Sequence, residues 1–471
     1  MSLAATPTLP GTIFIFLVLS ATALICYLVR RWAPVAGLLA AASCLLLGWL
    51  TVAQSSGESL KLLGRVWVSH RPFVLLGRAW VLTSSNLAVL TLVLVSSGLV
   101  FLLSVPFPQG WAFYSLGTAV LAVLVLAVAA QQYIYAILFL WVAAILVTFV
   151  LSGGRPGATT GAFRYLVITT LAVMPLLTLT GYLGAGAAVG ATYAASVLLV
   201  IGASMLLMFV PFHGQLVAIA GTAAPMVPAY FFATFPLVIL YVLLGLSRSF
   251  PELLAEELFF DLCRWLGTAA VVAGGVVALA QRRWGFLVGY ALLVDWGAGL
   301  IALGQGTASG FERMVQMMGW RTISLLAAGM GLSIVYQAAG KSDELVRCRG
   351  LWRRRTLGVT LLVGGVLSLA GFPLTPGAAG RWQLLVSLWP VSPRTVWVLI
   401  LGGVGVCIGA IVGLRACLGQ ADEPVEEKRG SLVVTTGFAL LALWIVGMLL
   451  FRPSSWLALT ERLLGDLSFL Q

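Results

Sequence analysis

Residues Ser368 to Arg381 read SLAGFPLTPGAAGR and interrupt one of the long apolar runs of the chain. Pro373 and Pro376 each lack a backbone N–H, while Gly371, Gly377 and Gly380 free the backbone around them. Two prolines this close predict a membrane helix split into two halves. At bilayer depth such a break is tolerated only where it faces protein or a wet cavity. Arg381 stands eight residues beyond Pro373, a charge on an otherwise apolar segment. A discontinuous helix beside a buried charge is the pattern of an ion or substrate site in a transporter. The alternative is a simple proline kink with an arginine that reaches out to the membrane surface.

The whole chain is of the same character. Of its 471 residues 61% are hydrophobic and only 9% charged, and the mean hydropathy is +1.06. Soluble chains carry about a quarter charged residues, so a soluble globular domain is excluded. The apolar runs are continuous rather than alternating, which excludes a transmembrane barrel. What remains is an all-α polytopic membrane protein. The first run, Thr12 to Val29, has neither a basic leader nor a small-x-small cleavage site, and reads as a retained first span. The six cysteines form no C-x-x-C, and with two histidines they offer no metal-ligand spacing. No disulfide, metal or other cofactor is expected. The formal charge of +12 is a topology signal and not a nucleic-acid footprint, because no basic cluster is interleaved with exposed aromatics.

Runs of spanning length fall at 12–29, 33–53, 85–105, 111–131, 132–152, 163–185, 188–212, 224–246, 267–281, 285–304, 314–338, 356–389, 395–416 and 431–451. At ~20 residues per span this gives about fourteen helices. The polar insert Ser55 to Ser84 holds two β-prone runs, Arg65 to His70 and Gly77 to Thr83, joined near Arg71-Pro72. These predict an extramembrane hairpin. Pro251 to Trp265 spaces Glu252, Glu256, Glu257 and Asp261 against Leu253, Leu254, Leu258 and Phe259, which predicts an interfacial amphipathic helix. With the N-terminus outside, fifteen Lys and Arg fall on the cytoplasmic side and ten outside, which favours both termini outside.

A second break is expected earlier. Met205 to Pro228 reads MLLMFVPFHGQLVAIAGTAAPMVP, with Pro211 interrupting the helix just before His213 and Gly214. It lies five spans before the break at Pro373, Pro376 and Gly377. Two proline-broken helices in successive five-helix units are the mark of an inverted-repeat transporter. The expected division is 1–110 for three helices with the hairpin, 111–250 for a first five-helix repeat, 251–420 for the amphipathic helix and the second repeat, and 421–471 for a last helix.

Four motifs follow one another along residues 110–415: Pro211-Phe212-His213-Gly214 with Ala224-Pro225; Gly289-Tyr290 through Asp295-Trp296-Gly297; Arg321 through Leu325-Leu326-Ala327-Ala328-Gly329; and Ser368 to Arg381. They resemble, in the same order, the P-F-H-x-W-L-P…A-P-T-P-V, A-Y-S-x-I-x-[HQ]-x-G, H-A-x-F-K-A-L-L-F-L-x-A-G and S-L-A-G-x-P-P-x-x-G-F-x-G-K segments of one family. These are the antiporter-like membrane subunits of respiratory complex I, related to Mrp-type antiporters and membrane-bound hydrogenase subunits. The resemblance implies fourteen helices, two inverted repeats and both ends outside. It implies a place among the other membrane subunits of a complex I-like or hydrogenase-like assembly in a prokaryotic cytoplasmic membrane, with the lipid bilayer as its medium. No catalytic site of the chain's own is expected.

The family moves protons along buried lysines, histidines and glutamates, and here the chain departs from it. There is no acidic residue between Glu58 and Glu252 and no lysine between Lys61 and Lys341. The resemblance places the first half's lysines at Leu206 and near Leu237, and the second half's at Arg321 and Arg381. Arginine stays protonated and cannot shuttle protons, although it can hold a carboxylate, chloride or water. Asp295 is the only acid well inside a span, so it is expected to pair with Arg321 or Arg381. His213 can titrate, or can serve as a structural hydrogen-bonding group. The candidate ion path is thus Asp295, Arg321, Arg381 and His213. Three readings follow: a subunit of a redox-driven complex that still passes ions through its second half, a non-conducting structural subunit of such a complex, and a stand-alone anion or ion transporter.

Overall fold

An apolar segment in a bilayer must satisfy its backbone internally, and a helix does so along its own length. The computed structural model describes residues 8–55, 60–62, 65–68, 71–75, 77–184, 191–250 and 258–420, and these are mostly helical. The helices are α1 (Gly11–Leu28), α2 (Ala33–Ser55), α3 (Ser84–Ser104), α4 (Phe113–Ala129), α5 (Tyr133–Ser152), α6 (Ala158–Gly184), α7 (Ala191–Leu206), α8 (Gly214–Thr222) and α9 (Val227–Ser249). They continue with α10 (Leu258–Ala278), α11 (Trp284–Leu303), α12 (Ala308–Ala338), the short α13 (Leu351–Arg354), α14 (Thr356–Ala370), α15 (Pro376–Leu388) and α16 (Pro393–Leu418). Among the described residues ten helices are long and apolar enough to cross a membrane, and α4, α7 and α14 are shorter apolar helices. The expected span 431–451, with the block 421–471 that holds it, lies outside the described residues.

Proline alone does not break these helices. α6 runs through Pro175 and α9 through Pro236. The two interruptions, between α7 and α8 and between α14 and α15, each join proline to a residue of positive φ: Met208 at 58° in the first, Gly371 at 73° and Leu374 at 70° in the second.

Two expectations need correction. Among their described residues, the runs Arg65 to His70 and Gly77 to Thr83 do not pair with each other. Strand Arg65–Val68 lies parallel to Thr8–Pro10 and antiparallel to Leu60–Leu62, while Arg78–Trp80 folds back on Phe73–Leu75. Gly77, at φ 74°, supplies the tight turn that makes the nearer partner accessible. The segment from Leu258 is not a separate interfacial helix either. It forms the first turns of α10, and its Asp261 and Arg264 pair on the exposed face. Residues 251–257 lie outside the description.

Loops gather at the two ends of the bundle as alternating spans require. At one end Gln109 accepts from the Met226 N–H, Arg155 reaches the Ala223 carbonyl, and Arg283 meets Asp343. At the other end Val81 donates to Ala129, and the hydroxyl of Tyr133 reaches Gly245. Of the ten helices of membrane-crossing length, α3, α9, α11 and α12 have the largest buried shares. The two parts of the chain meet where α8 packs on α11 and α9 on α12.

Without a hydrophobic drive between helices in lipid, close backbone approach has to hold them. α10 and α16 touch in this way, and a Cβ added at Gly275 would stand 2.6 Å from the Gly402 Cα. Gly275→Val is therefore expected to destabilise the protein by about 1–3 kcal/mol through overpacking. A melting curve of the purified variant checks this; unchanged melting would mean the helices do not touch there.

Candidate functional site

The break near Gly371 is closed locally before it is used. Gly371, at φ 73°, ends α14 as a Schellman turn: its N–H donates to Ser368 O at 3.0 Å, and Phe372 N–H donates to Leu367 O at 3.0 Å. Pro373 cannot continue the ladder, and Pro376 opens α15 at a position where a missing N–H costs nothing. The Ser368 hydroxyl accepts from Gly377 N–H at 2.9 Å and bonds Ser324 Oγ at 2.7 Å, which ties the two half-helices to α12. Ser324 is the seventeenth of the 31 residues of α12, so the break lies about halfway along that helix.

Two carbonyls are still left over, those of Leu369 and Ala370, and Arg381 takes both. Its Nη2 donates to Leu369 O at 2.6 Å and its Nη1 to Ala370 O. Gly371 has to be bare for this, because a Cβ there would collide with the Arg381 side chain. The same Nη2 lies 3.6 Å from Asp295 Oδ1. Arg321 on α12 donates from Nε to the other oxygen of Asp295 at 2.5 Å. All three side chains are buried, with Asp295 4%, Arg321 3% and Arg381 5% exposed. The structure therefore brings Asp295, Arg321 and Arg381 together, one carboxylate between two guanidinium groups.

Trp296 carries the arrangement to the other break. The Arg321 guanidinium lies 4.2 Å above the Trp296 ring, and the indole Nε1 donates to Leu207 O at 2.7 Å. Leu207 is the first residue beyond α7, where the chain leaves the helix before Pro211. Gln215 of α8 donates back to Met205 O at 2.7 Å, so the end of α7 is capped from two sides. His213 stands apart. It is half-buried just before α8, makes no hydrogen bond or ion pair to the cluster, and its Nδ1 is buried without a partner. Among the described residues the buried polar side chains of the first half are neutral apart from Arg155, and include Thr118, Thr148, Thr169, Ser196, Ser204, Gln215 and Thr234.

Sequence reasoning missed a second buried ion cluster, at the end of the bundle. Asp343 accepts from Arg283 Nε at 3.0 Å and Nη2 at 2.8 Å, and lies 3.5 Å from Arg155 Nη2. It also accepts from Gly285 N–H at 3.1 Å, at the N-terminus of α11, where a carboxylate complements the helix dipole. Arg155 stacks on Tyr336 at 3.9 Å. The signal was present in outline: Asp343 is an acid inside the basic run Lys341 to Arg355, and Arg155 sits in the turn Gly153-Gly154-Arg155-Pro156-Gly157. Neither pattern names its partner. Among the described residues no group of three metal-ligating side chains gathers anywhere.

The Trp296 bridge gives a direct expectation. Trp296→Phe keeps an aromatic face beneath Arg321 but leaves the buried Leu207 carbonyl without its donor, at a cost of about 1–3 kcal/mol. Thermal unfolding of the purified variant measures it, and an unchanged midpoint would show that the indole N–H holds nothing.

With this geometry in place, comparison with known proteins has a clear outcome. The family described as NADH:quinone oxidoreductase/Mrp antiporter, TM, matches residues 137–409. NADH-quinone oxidoreductase subunit N of Pelobacter propionicus is 24% identical over 323 residues, covering 65% of this chain and 68% of that one. Subunit N of Ectopseudomonas mendocina is 28% identical over 261 residues, and this chain spans about half its length, 52%. Among solved structures, a chain of respiratory complex I from Thermus thermophilus superposes with a TM-score of 0.72 at 16% identity, covering 96% of this chain and 100% of that one. A chain of the Mrp complex from a Dietzia species gives 0.75 at 14% identity, covering 98% and 99%. A chain of an archaeal membrane-bound sulfane sulfur reductase gives 0.71 at 16%, covering 96% and 97%. The likeness to the solved structures shows the fold, and the family match rests on more than half the chain. The protein is an integral polytopic membrane protein, and it belongs to the NADH:quinone oxidoreductase/Mrp antiporter family.

Proposed function

We propose that this chain is an antiporter-like membrane subunit of a complex I-related, redox-driven ion-translocating assembly in a prokaryotic cytoplasmic membrane. In this reading its first half has no proton path, and any ion path is confined to the second half. Residues 111–250 and 251–420 are then two inverted five-helix units, of which only the second keeps charge at mid-depth. The observation that carries the reading is the distribution of buried charge. Among the described residues the charged side chains buried midway along the bundle are Asp295, Arg321 and Arg381, while Arg155 and Asp343 lie at one end. A proton crossing a low-dielectric interior needs titratable groups or a water wire at each step. Among the described residues the first half offers at mid-depth only His213 and neutral hydroxyls and amides, its buried Arg155 lying at the end of the bundle. In the second half Asp295 is the carboxylate buried at mid-depth among the described residues, and the arginines orient it without exchanging protons. The chain has no redox site in this account; electron transfer belongs to other subunits of the assembly.

A second reading, a non-conducting structural subunit, draws support from one feature. Asp295 is held by both arginines at once, and Arg381 also closes α14. A proton taken up by Asp295 would leave two buried guanidinium groups with no counter-charge.

The experiment that separates the readings uses the whole assembly in liposomes, with ion translocation measured for Asp295→Asn and His213→Ala after intact assembly is confirmed. Translocation attributable to this subunit is expected to vanish in Asp295→Asn and to persist in His213→Ala. Loss with His213→Ala alone would place a proton path in the first half. Full translocation by Asp295→Asn would leave the structural reading.

A further inference from the structure

A buried indole N–H calls for an acceptor, and that of Trp284, at the start of α11, finds no oxygen or nitrogen. What surrounds this ring is set by the chain on three sides. The Trp284 backbone N–H donates to Asp343 O at 2.9 Å, and Leu345 N–H donates to Arg282 O at 2.9 Å. Arg283 and Glu344 thus face each other as an antiparallel bridge. From there a one-turn 3-10 helix, Leu345–Cys348, brings Cys348 back to the ring. On α16 a Cβ built at Gly413 would stand 2.5 Å from the Trp284 ring, so the ring lies directly on that glycine. Cys417 is four residues further on, on the same face of α16.

Cys348 and Cys417 therefore meet. Contacts on either side bracket them: Gly413 against Trp284, and Gly419, whose Cβ position lies 3.8 Å from Arg349 Cγ. The two thiols hydrogen-bond to each other, and the Trp284 N–H lies beside both sulfurs. Both cysteines are free and 0% exposed, yet the surface is close, since Arg349, Arg415 and Leu418 are exposed. The Cys417 thiol at its side, and then burial, hold the Cys348 thiol well above the usual cysteine range. At neutral pH the pair rests as a dithiol.

We propose that Cys348 and Cys417 are a peroxide-responsive modification site, which closes to a disulfide between the loop after α12 and the end of α16. One thiolate attacks the O–O bond of hydrogen peroxide, and its sulfur becomes a sulfenic acid as hydroxide leaves. The other thiol attacks that sulfur; the S–S bond forms, the S–O bond breaks and water departs. In sum the two thiols lose two electrons and two protons, and one peroxide becomes two waters. Access comes from fraying of the last turn of α16, the part of that helix that opens most readily. Cys348 follows Asp343 in one loop, and Asp343 holds Arg283, Arg155 and the start of α11. A disulfide there fastens this loop to α16 and stiffens the junction between the two parts of the chain. The site lies apart from Asp295, so the inference stands or falls independently of ion translocation.

The test uses the full chain purified with its assembly in nanodiscs, first reduced and then exposed to hydrogen peroxide. Remaining thiols are alkylated after unfolding, and the digest is read by mass spectrometry with and without dithiothreitol. The expected product is a pair of peptides joined through Cys348 and Cys417 and released by dithiothreitol. Amide hydrogen exchange from Asp343 to Cys348 is expected to slow in the oxidised parent and to be unchanged by peroxide in Cys417→Ser. If that variant does not assemble, Cys348→Ala serves in its place, with the same expectation. Recovery of both cysteines as alkylated thiols, or their separate oxidation to sulfinic acids without the cross-link, would overturn the proposal. So would unchanged exchange in the cross-linked parent.

Discussion

A carboxylate halfway through a membrane protein persists only where positive charge meets it, and Asp295 meets two guanidinium groups. The positions of α11, α12 and α15 answer to that requirement. Arg321 fixes the approach of α12 to α11, and Arg381 fixes where α15 restarts after the break. The planar fork of arginine suits this task better than the point charge of lysine. One Arg381 side chain reaches the carbonyls of Leu369 and Ala370 and the carboxylate of Asp295 together. Arg381 thus closes the end of α14 and meets the buried acid with one side chain.

The two parts of the chain are joined by charge and hydrogen bonding at two depths. At mid-depth Trp296 links the Asp295 cluster to the end of α7 through Leu207. At one end of the bundle Arg155, from the turn before α6, reaches Asp343, which also caps α11 and holds Arg283. Between these levels α8 packs against α11 over Gly221, Gly285 and Gly289, where the backbones come close. Both levels join neighbouring elements through a buried acid that contacts two arginines, so neither acid can be lost without stranding positive charge.

Much of this was legible in the chain, for identifiable reasons. The break at Pro373 could be read because Gly371 and Pro376 supply a left-handed cap and a helix start in the right order. The Asp295 cluster could be read by subtraction, since one acid and two arginines are all the charge those spans contain. The contacts of Trp296 and Ser368 could not, because a hydrogen bond to a remote carbonyl leaves no periodicity in sequence. The insert Ser55 to Ser84 was recognised as β-structure but paired wrongly, since β-propensity does not choose a partner. The amphipathic pattern near Asp261 was real, yet helical spacing does not say where a helix ends, and α10 runs on through it.

The central claim is that Asp295 and Arg321 act as one buried unit that holds the middle of the protein. A double-mutant cycle on thermal or denaturant stability measures it most directly, with Asp295→Asn, Arg321→Gln and the two combined. Each single change is predicted to cost about 3–5 kcal/mol, because the remaining partner is left charged or unpaired in the interior. The double change should cost less than the sum by about 2–3 kcal/mol. Additivity to within ~0.5 kcal/mol would contradict the account, since it would mean the two side chains do not depend on each other.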